Sequence, residues 1–395
     1  MRMAFRLAGA LAGLVMVAGL AGGASAQPYD IHVVLPMTGG GSFVGKGQHD
    51  NLDALEAEVN RGGGLGGGRT VHFIYHDDQT TPQVAVQLLS EIIASKPTVV
   101  IGSGLVAMCN AMAPLVKTGP VLYCLSPGFH PQPGSFAFSA SSSSFDQIAA
   151  LIRYYRLKGW TKLAQLSGTD ATGQDSDNAV NQIMAMPENK DLKLVETQHF
   201  NPTDVSIAAQ AERIRSSGAQ AIIAWATGAP VATILKGVIQ AGLDLPIAPS
   251  SGNQTFAQMD QYKSFLPRQF LLPSALFPEH DGVLTLDPRM EKAQHGMYAI
   301  LKERGVRADN MTATSWDAGL IVVEGLRKLG PAATPEKLRD FIANLSDFAG
   351  IDGIYDFKKN PERGIGADAS AIMSYDKEKP RWVWLSKPGG EPLGK

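Results

Sequence analysis

Several residue groups have the types and spacing to do chemistry. Gly40-x-x-x-x-Gly45-Lys46 follows an apolar run and nearly spells the loop that cradles nucleotide phosphates. The next residue is Gly47, where a Ser or Thr would hold magnesium, so the bland reading is a flexible loop that brings backbone close to a ligand. Gly102-x-Gly104-x-x-Ala107 has the outline of a dinucleotide fingerprint, but no acidic residue follows about 20 positions on. His72 and His76 have the spacing of a zinc helix, yet they fall on a strand pattern, where they would lie about 13 Å apart. Asp77-Asp78 could be an acid/base or metal pair; more often such residues cap the next helix and tie down its loop. No nucleophile elbow G-x-S-x-G occurs, and local sequence supports no Ser-His-Asp arrangement. The reading is a protein without catalytic residues, metal or cofactor.

What remains is binding chemistry, concentrated in residues 99–131. A short apolar run ends in Gly102-Ser103-Gly104, a helical stretch follows with Val106, Met108, Met112, Leu115 and Val116 on its apolar positions, and a second run at 121–125 leads into Ser126-Pro127-Gly128-Phe129-His130. Strand, helix, strand at this length is one right-handed crossover, so the strands should be parallel neighbours. Both loops then leave the carboxyl ends of adjacent strands, where open α/β sheets place ligands. The first also opens a helix, whose free N–H groups favour an anion.

Around this unit the chain repeats the same rhythm. A strand at 31–35, a helix to about Asn60, a turn of glycines at 62–68, a strand at 70–75 and a helix at 84–93 precede it. After a serine-rich transition at 136–144, a second set follows, with strands at 163–166, 192–199, 221–226 and 247–250 alternating with helices. Two α/β sets of similar size predict two doubly wound lobes. Beyond a strand at 270–277 the pattern turns helical (290–303, 312–328, 335–345), then gives three short antiparallel strands at 353–357, 371–375 and 382–385.

The 395 residues are 44% hydrophobic and 18% charged with net charge −2, an ordinary globular composition with no basic, aromatic-laced patch to suggest nucleic acid. Arg2 and Arg6, the apolar residues 7–21 and Ala24-Ser25-Ala26 read as a secretory signal cleaved before Gln27. No later segment is long and apolar enough to span a bilayer. Two cysteines, Cys109 and Cys124, both fall in the crossover unit. Export permits a disulfide, and helix start and following strand lie close in such a unit; each also suits a small buried residue, and both readings stay open.

These pieces, in this order, resemble the type I periplasmic solute-binding proteins of ABC transporters, most of all the branched-chain amino acid receptor family. Pro36, Thr38, Gly39 and Gly45 look like that family's first loop, followed by Asn60, the glycines and Asp77-Asp78. Ile101-Gly102 and Ser126-Pro127-Gly128 match the two ligand loops; Asp170-x-x-Gly173, Trp316-Asp317-Ala318 and Gly353…Tyr-Asp-Phe357 add later matches. The resemblance implies an α/β fold of two doubly wound lobes joined by three hinge crossings, near 141–145, 273–277 and 351–355. Lobe 1 would comprise 27–144 plus 276–352, and lobe 2 145–275 plus 353–395. It implies capture of a small molecule in the periplasm by a monomer that delivers it to a membrane permease, without chemistry on it.

Departures from the family bear on the ligand. Leu105, Val106 and Ala107 stand where the amino acid receptors offer a hydroxyl to the ligand carboxylate, and Phe129 and His130 stand where a backbone N–H and a Thr hydroxyl are expected. Thr172 replaces the usual Tyr of the lobe-two loop. Ser251 replaces the acidic residue that pairs with the α-ammonium, and a buried ammonium without that partner is costly. The expected ligand is therefore an organic acid lacking an α-amino group, such as a benzoate or phenylpropanoid derivative. Phe43, Phe129 and Trp225 are candidate aromatic walls, and Ser126, Gly128, His130, Asp170, Thr227 and Asn253 complete the expected site. Packing in the core or facing solvent is the competing role for Phe129, Trp225 and His130. Alternatives are a receptor for a branched-chain or other amino acid or amide, and a periplasmic sensor.

Overall fold

The computed structural model describes residues 27–278 and 282–394; the expected signal segment, 1–26, lies outside them. The first lobe is built on β1 (Tyr29–Leu35), α1 (Ser42–Arg61), β2 (Val71–Asp77), α2 (Pro82–Ala94), β3 (Val99–Gly102), α3 (Val106–Met112), β4 (Val121–Cys124) and β5 (Ala137–Ser139). Its sheet is parallel throughout, in the order β2-β1-β3-β4-β5. β3 and β4 read as unbroken apolar runs because helices cover both faces, and every residue of each is buried. The stretch expected as a serine-rich transition supplies β5. Its three residues are too few for a period-2 pattern to register.

The second lobe repeats the plan with α4 (Ser144–Leu157), β6 (Lys162–Gly168), α5 (Ala171–Met184), β7 (Lys193–Phe200), α6 (Ala208–Ser216), β8 (Ala221–Trp225), α7 (Pro230–Gln240), β9 (Ile247–Ala248) and α8 (Phe256–Tyr262). Its strands run parallel in the order β7-β6-β8-β9. Phe270 forms a single bridge to Ile247 of β9, and β10 (Leu271–Ser274), which follows it, starts an antiparallel trio with β13 (Ala371–Asp376) and β14 (Arg381–Trp384). Between β10 and β13 the chain revisits the first lobe as α9 (Pro288–Glu303), α10 (Asn310–Leu329), α11 (Pro335–Asn344) and the small hairpin β11 (Phe348–Ala349) and β12 (Ile354–Tyr355).

The chain thus passes between lobes at 140–144, at 274–275 and at 369–371. The third passage differs from the expected 351–355. Tyr355, Phe357, Ile365 and Ala369 all pack in the first lobe's core, where the Phe357 ring meets Phe138 edge-on at 5.9 Å. Burial of these apolar side chains keeps residues 353–369 with lobe 1; only from Ala371 does the chain pair with β10. A short hairpin pattern cannot reveal which sheet it sits beside.

Cys109 and Cys124 form a disulfide across the crossover, with Cα atoms 6.1 Å apart, inside a cluster with Met108, Met112, Leu122 and Phe129. It closes a loop of sequence separation 15. In the chain-entropy picture such a loop is worth about 3 kcal/mol. The double variant Cys109→Ala/Cys124→Ala is expected to lose about 2–3 kcal/mol in a urea unfolding titration, and an unchanged midpoint would remove any stabilising role for the bond.

Candidate functional site

Both sheets place their strand order reversal between adjacent parallel strands, β1/β3 in one lobe and β6/β8 in the other. Loops leaving the carboxyl ends on either side of such a reversal part and leave a crevice. The two crevices face one another. They enclose a narrow cleft lined from both lobes.

Lobe 1 lines the cleft with Val44 and Gln48 of α1, with Gly104, Leu105 and Val106 after β3, and with Leu125 through Gly128 after β4. Asn310, Met311 and Thr314 come from the first turns of α10. Lobe 2 contributes Ser144 and Gln147 of α4, Thr172 and Asp175 of α5, Trp225 at the end of β8, Thr227, and Ser250 to Gly252 after β9. Helix starts recur here, and those of α4, α5 and α10 are fixed by side-chain caps. Ser143 Oγ accepts from the Asp146 N–H at 3.1 Å, Asp170 from the Gly173 N–H at 3.0 Å, and Asp309 forms a reciprocal box with Thr312. These caps fix the first helical turns and so aim Gln147, Asp175 and Thr314 inward. Gly173 sits so close to the Gly168 carbonyl that a Cβ there would collide with it, which lets α5 start against the end of β6.

The lining contains no Lys or Arg among the described residues. Its one carboxylate, Asp175, is occupied from lobe 1 and from the hinge: the His130 ring lies 2.6 Å from Oδ1 and the Ser144 hydroxyl donates to Oδ2. Thr227 and Ser250 hydroxyls are 2.6 Å apart, and Ser250 donates on to the Ala226 carbonyl at 2.9 Å. Gln147 Nε2 donates to the Ser142 carbonyl at 3.1 Å, and Gln48 Nε2 donates to Thr314 Oγ1 at 3.3 Å. Gln48 Oε1, Gln147 Oε1 and both amide atoms of Asn310 are buried without a hydrogen-bond partner among the described residues. Leaving such a group unpaired costs about 1–3 kcal/mol, so protein interiors seldom do it.

Of the residues singled out in the sequence, Leu105, Val106, Ser126, Gly128, Thr172, Trp225, Thr227 and Ser251 come together in the cleft. Six do not. Phe43 points to a separate depression beside Lys46 and Arg307, one turn of α1 away from the cleft-facing Gln48. Ala107 and Phe129 pack into the core beneath α3, with Phe129 only 3% exposed. His130 lies on the outer side and reaches the site only through Asp175. Asp170 is spent as the α5 cap. Asn253 is fully buried and ties its own loop, accepting from the Gly228 N–H at 2.9 Å and donating to the Ala226 carbonyl at 2.7 Å. Conversely, Val44, Gln48, Ser144, Gln147, Asp175, Asn310, Met311 and Thr314 were not expected. The cap signals Ser143-x-x-Asp146, Asp170-x-x-Gly173 and Asp309-x-x-Thr312 mark where their helices start and could have pointed to several of them.

Asp77 and Asp78 hold loops, as the competing reading had it. Burial works against ionisation of Asp77, but donors from Thr38, Gln79 and Met37 outweigh it and hold the carboxyl below its ordinary value. Asp78 is raised by burial although it accepts from Ser103 Oγ at 2.6 Å. His32 and His76, neighbours across β1 and β2, are held below the usual histidine range chiefly by burial. Among the described residues no group of three or more His, Cys, Asp or Glu is arranged to hold a metal, and no helix is long and apolar enough to cross a membrane.

The chain is similar in fold to solved binding proteins. An extracellular ligand-binding receptor from Rhodopseudomonas palustris superposes with TM-score 0.80 at 17% identity, covering 91% of this chain and 99% of that one. A type 1 periplasmic binding protein from Bordetella pertussis Tohama I gives 0.77 at 20% identity, covering 93% and 100%. The branched-chain amino acid transporter substrate binding protein LivJ from Streptococcus pneumoniae, in complex with isoleucine, gives 0.75 at 14% identity, covering 91% and 99%. No curated protein sequence matches the chain. The sequence model of the periplasmic binding proteins matches residues 28–379, and the chain, with its two doubly wound lobes around one cleft, belongs to that family.

Proposed function

We propose that this protein is the periplasmic receptor of an ABC importer and that it captures a small organic acid, an aromatic carboxylate such as a benzoate or phenylpropanoid derivative, between its lobes. The observation that carries the reading is the composition of the interlobe cleft. Trp225, Leu105, Val106, Val44 and Met311 give an apolar wall fit for a ring, while the polar lining is neutral apart from Asp175. Ser251, on the resemblance, stands where amino acid receptors hold the acidic partner of an ammonium. With no Lys or Arg in the lining, uncharged donors hold the carboxylate, the Asn310 amide among them. The released ligand passes unchanged to a permease, and the receptor acts as a monomer.

Asp175 favours a second reading, an amino acid ligand, because it places a carboxylate on the cleft. Its two oxygens are already engaged by His130 and Ser144, which leaves it a weaker partner for an ammonium.

A thermal-shift panel on the chain from Gln27 onward tests this with benzoates, cinnamates, aliphatic acids and branched-chain amino acids. A ligand at 100 times its Kd stabilises the native state by about 2.7 kcal/mol. Shifts with aromatic acids alone are the expected result; shifts with leucine or valine instead would sink the aromatic reading and favour Asp175 as an ammonium partner. Capture by hinge closure further predicts that small-angle scattering profiles differ with and without saturating ligand. Identical profiles would count against it.

A further inference from the structure

The two cleft glutamines are each held by a hydrogen bond from the amide nitrogen. Gln147 Nε2 points at the Ser142 carbonyl, an atom that only accepts, so the amide cannot be turned round. Gln48 Nε2 points at Thr314 Oγ1 at 3.3 Å, and the Thr314 hydroxyl lies 3.2 Å from the Met311 carbonyl, to which it donates. Gln48 is 1% exposed and Gln147 3% exposed, and neither Oε1 has a donor within the described protein. Two buried amide oxygens without partners, one from each lobe, therefore belong to residues that line the same cleft. Such acceptors ask for donors, which a bare carboxylate on a hydrocarbon body does not have.

We propose that the ligand of this cleft carries hydrogen-bond donors, hydroxyl or amide N–H, directed at Gln48 Oε1 and Gln147 Oε1, and that these two residues select it over its unsubstituted parent. The inference rests on the interlobe cleft being the ligand site, as the proposed function has it, and narrows the ligand class within it. A ligand lacking the donors leaves both acceptors buried and unpaired, and sites built in this way reject such analogues strongly. Because the acceptors come from α1 in one lobe and α4 in the other, a ligand meeting both also holds the lobes together.

The test is titration calorimetry on matched compounds: benzoate against 4-hydroxybenzoate and 4-carbamoylbenzoate, and isovalerate against isovaleramide as a pair without a ring. The donor-bearing member is expected to bind at least about tenfold more tightly. Gln147→Leu and Gln48→Leu, each checked for an intact fold by circular dichroism, should shrink that advantage; two variants keep the test open if one fails to fold. Comparison of the hydroxyl and carbamoyl arms tells which donor is used. Equal affinity within every pair, an advantage that survives in both variants, or binding by no donor-bearing member overturns the inference. If isovaleramide binds over isovalerate while no aromatic acid binds, the aromatic reading falls and the inference stands. If benzoate binds best, the aromatic reading stands and the inference falls.

Discussion

Replacing Phe129 by alanine is expected to lower stability by about 3–5 kcal/mol and to leave the affinity for a cleft ligand unchanged. The Phe129 ring is 3% exposed and packs with Met108, Met112, Leu122 and the Cys109–Cys124 bridge. Its carbonyl accepts from Arg363 Nη2 at 2.6 Å, and the same guanidinium donates to the Ser141 carbonyl at 3.0 Å, so Phe129 sits where the β4 loop is fastened to the first hinge crossing. Burial lowers the Arg363 pKa to about 10, which still leaves it cationic at neutral pH. The substitution therefore opens a cavity in lobe 1 without touching the cleft wall. Trp225 gives the contrasting case. It is 2% exposed and shares the lobe 2 core, but its indole also lines the cleft. Trp225→Phe, which keeps an aromatic ring in the core, should weaken an aromatic ligand while costing less stability than Phe129→Ala. Urea unfolding and ligand titration on both variants separate the two roles. A raised Kd with an unchanged unfolding midpoint in Phe129→Ala would return Phe129 to the ligand wall.

The difference between these two aromatic residues shows where sequence reading reaches its limit. Strands and helices were legible because apolar periodicity follows directly from burial, and the parallel pairing of β3 with β4 follows from the length of the connection. That both loops of this unit bear on one cleft was legible for the same reason. Within a loop, however, direction changes from residue to residue: Gly128 faces the cleft, Phe129 the core, and His130 the outer surface. No periodicity governs such a turn, so residue type alone cannot tell a ligand wall from a core anchor. Phe43 and Val44 show the same ambiguity at a helix start, where a rotation of about 100° moves the cleft face by one residue. Gln48, Gln147 and Asn310 carry no motif at all. They become candidates only when distant helix starts converge.

Replacing Asp352 by asparagine is expected to stabilise the protein at pH 8 and to flatten the pH dependence of its stability. Asp317, of the Trp316-Asp317-Ala318 motif, and Asp352 lie together in the lobe 1 core, each at most 1% exposed. Asp317 is the partnered member: it accepts from the Ile351 N–H at 2.9 Å and the Asp352 N–H at 3.1 Å, fastening α10 to the hairpin of β11 and β12. Asp352 has no partner on either oxygen among the described residues. Burial raises the Asp317 pKa to about 6 despite those donors, and it raises Asp352 well above the carboxylate range, with the Asp317 charge adding to the effect. Both folded values exceed the unfolded ones, so the native state holds protons that the unfolded chain releases above about pH 4. The associated stability is complete below the unfolded value and is lost as pH rises through about 6 and beyond. Asparagine keeps the volume of Asp352 and needs no proton, so this loss shrinks in the variant. The lowered pKa values of His32 and His76 act in the opposite direction, and the raised pKa of Asp309, about 7, acts in the same one. All three are common to both proteins and cancel in the comparison. Urea unfolding of wild type and Asp352→Asn at pH 5 and pH 8 reads the difference directly. Parallel losses in the two proteins would show that Asp352 carries no proton at pH 5 and would assign the cost of this buried pair to Asp317 alone. The reciprocal variant, Asp317→Asn, should lose stability at both pH values, because its NH2 group replaces one of the two oxygens that accept from the Ile351 and Asp352 N–H groups and sets donor against donor.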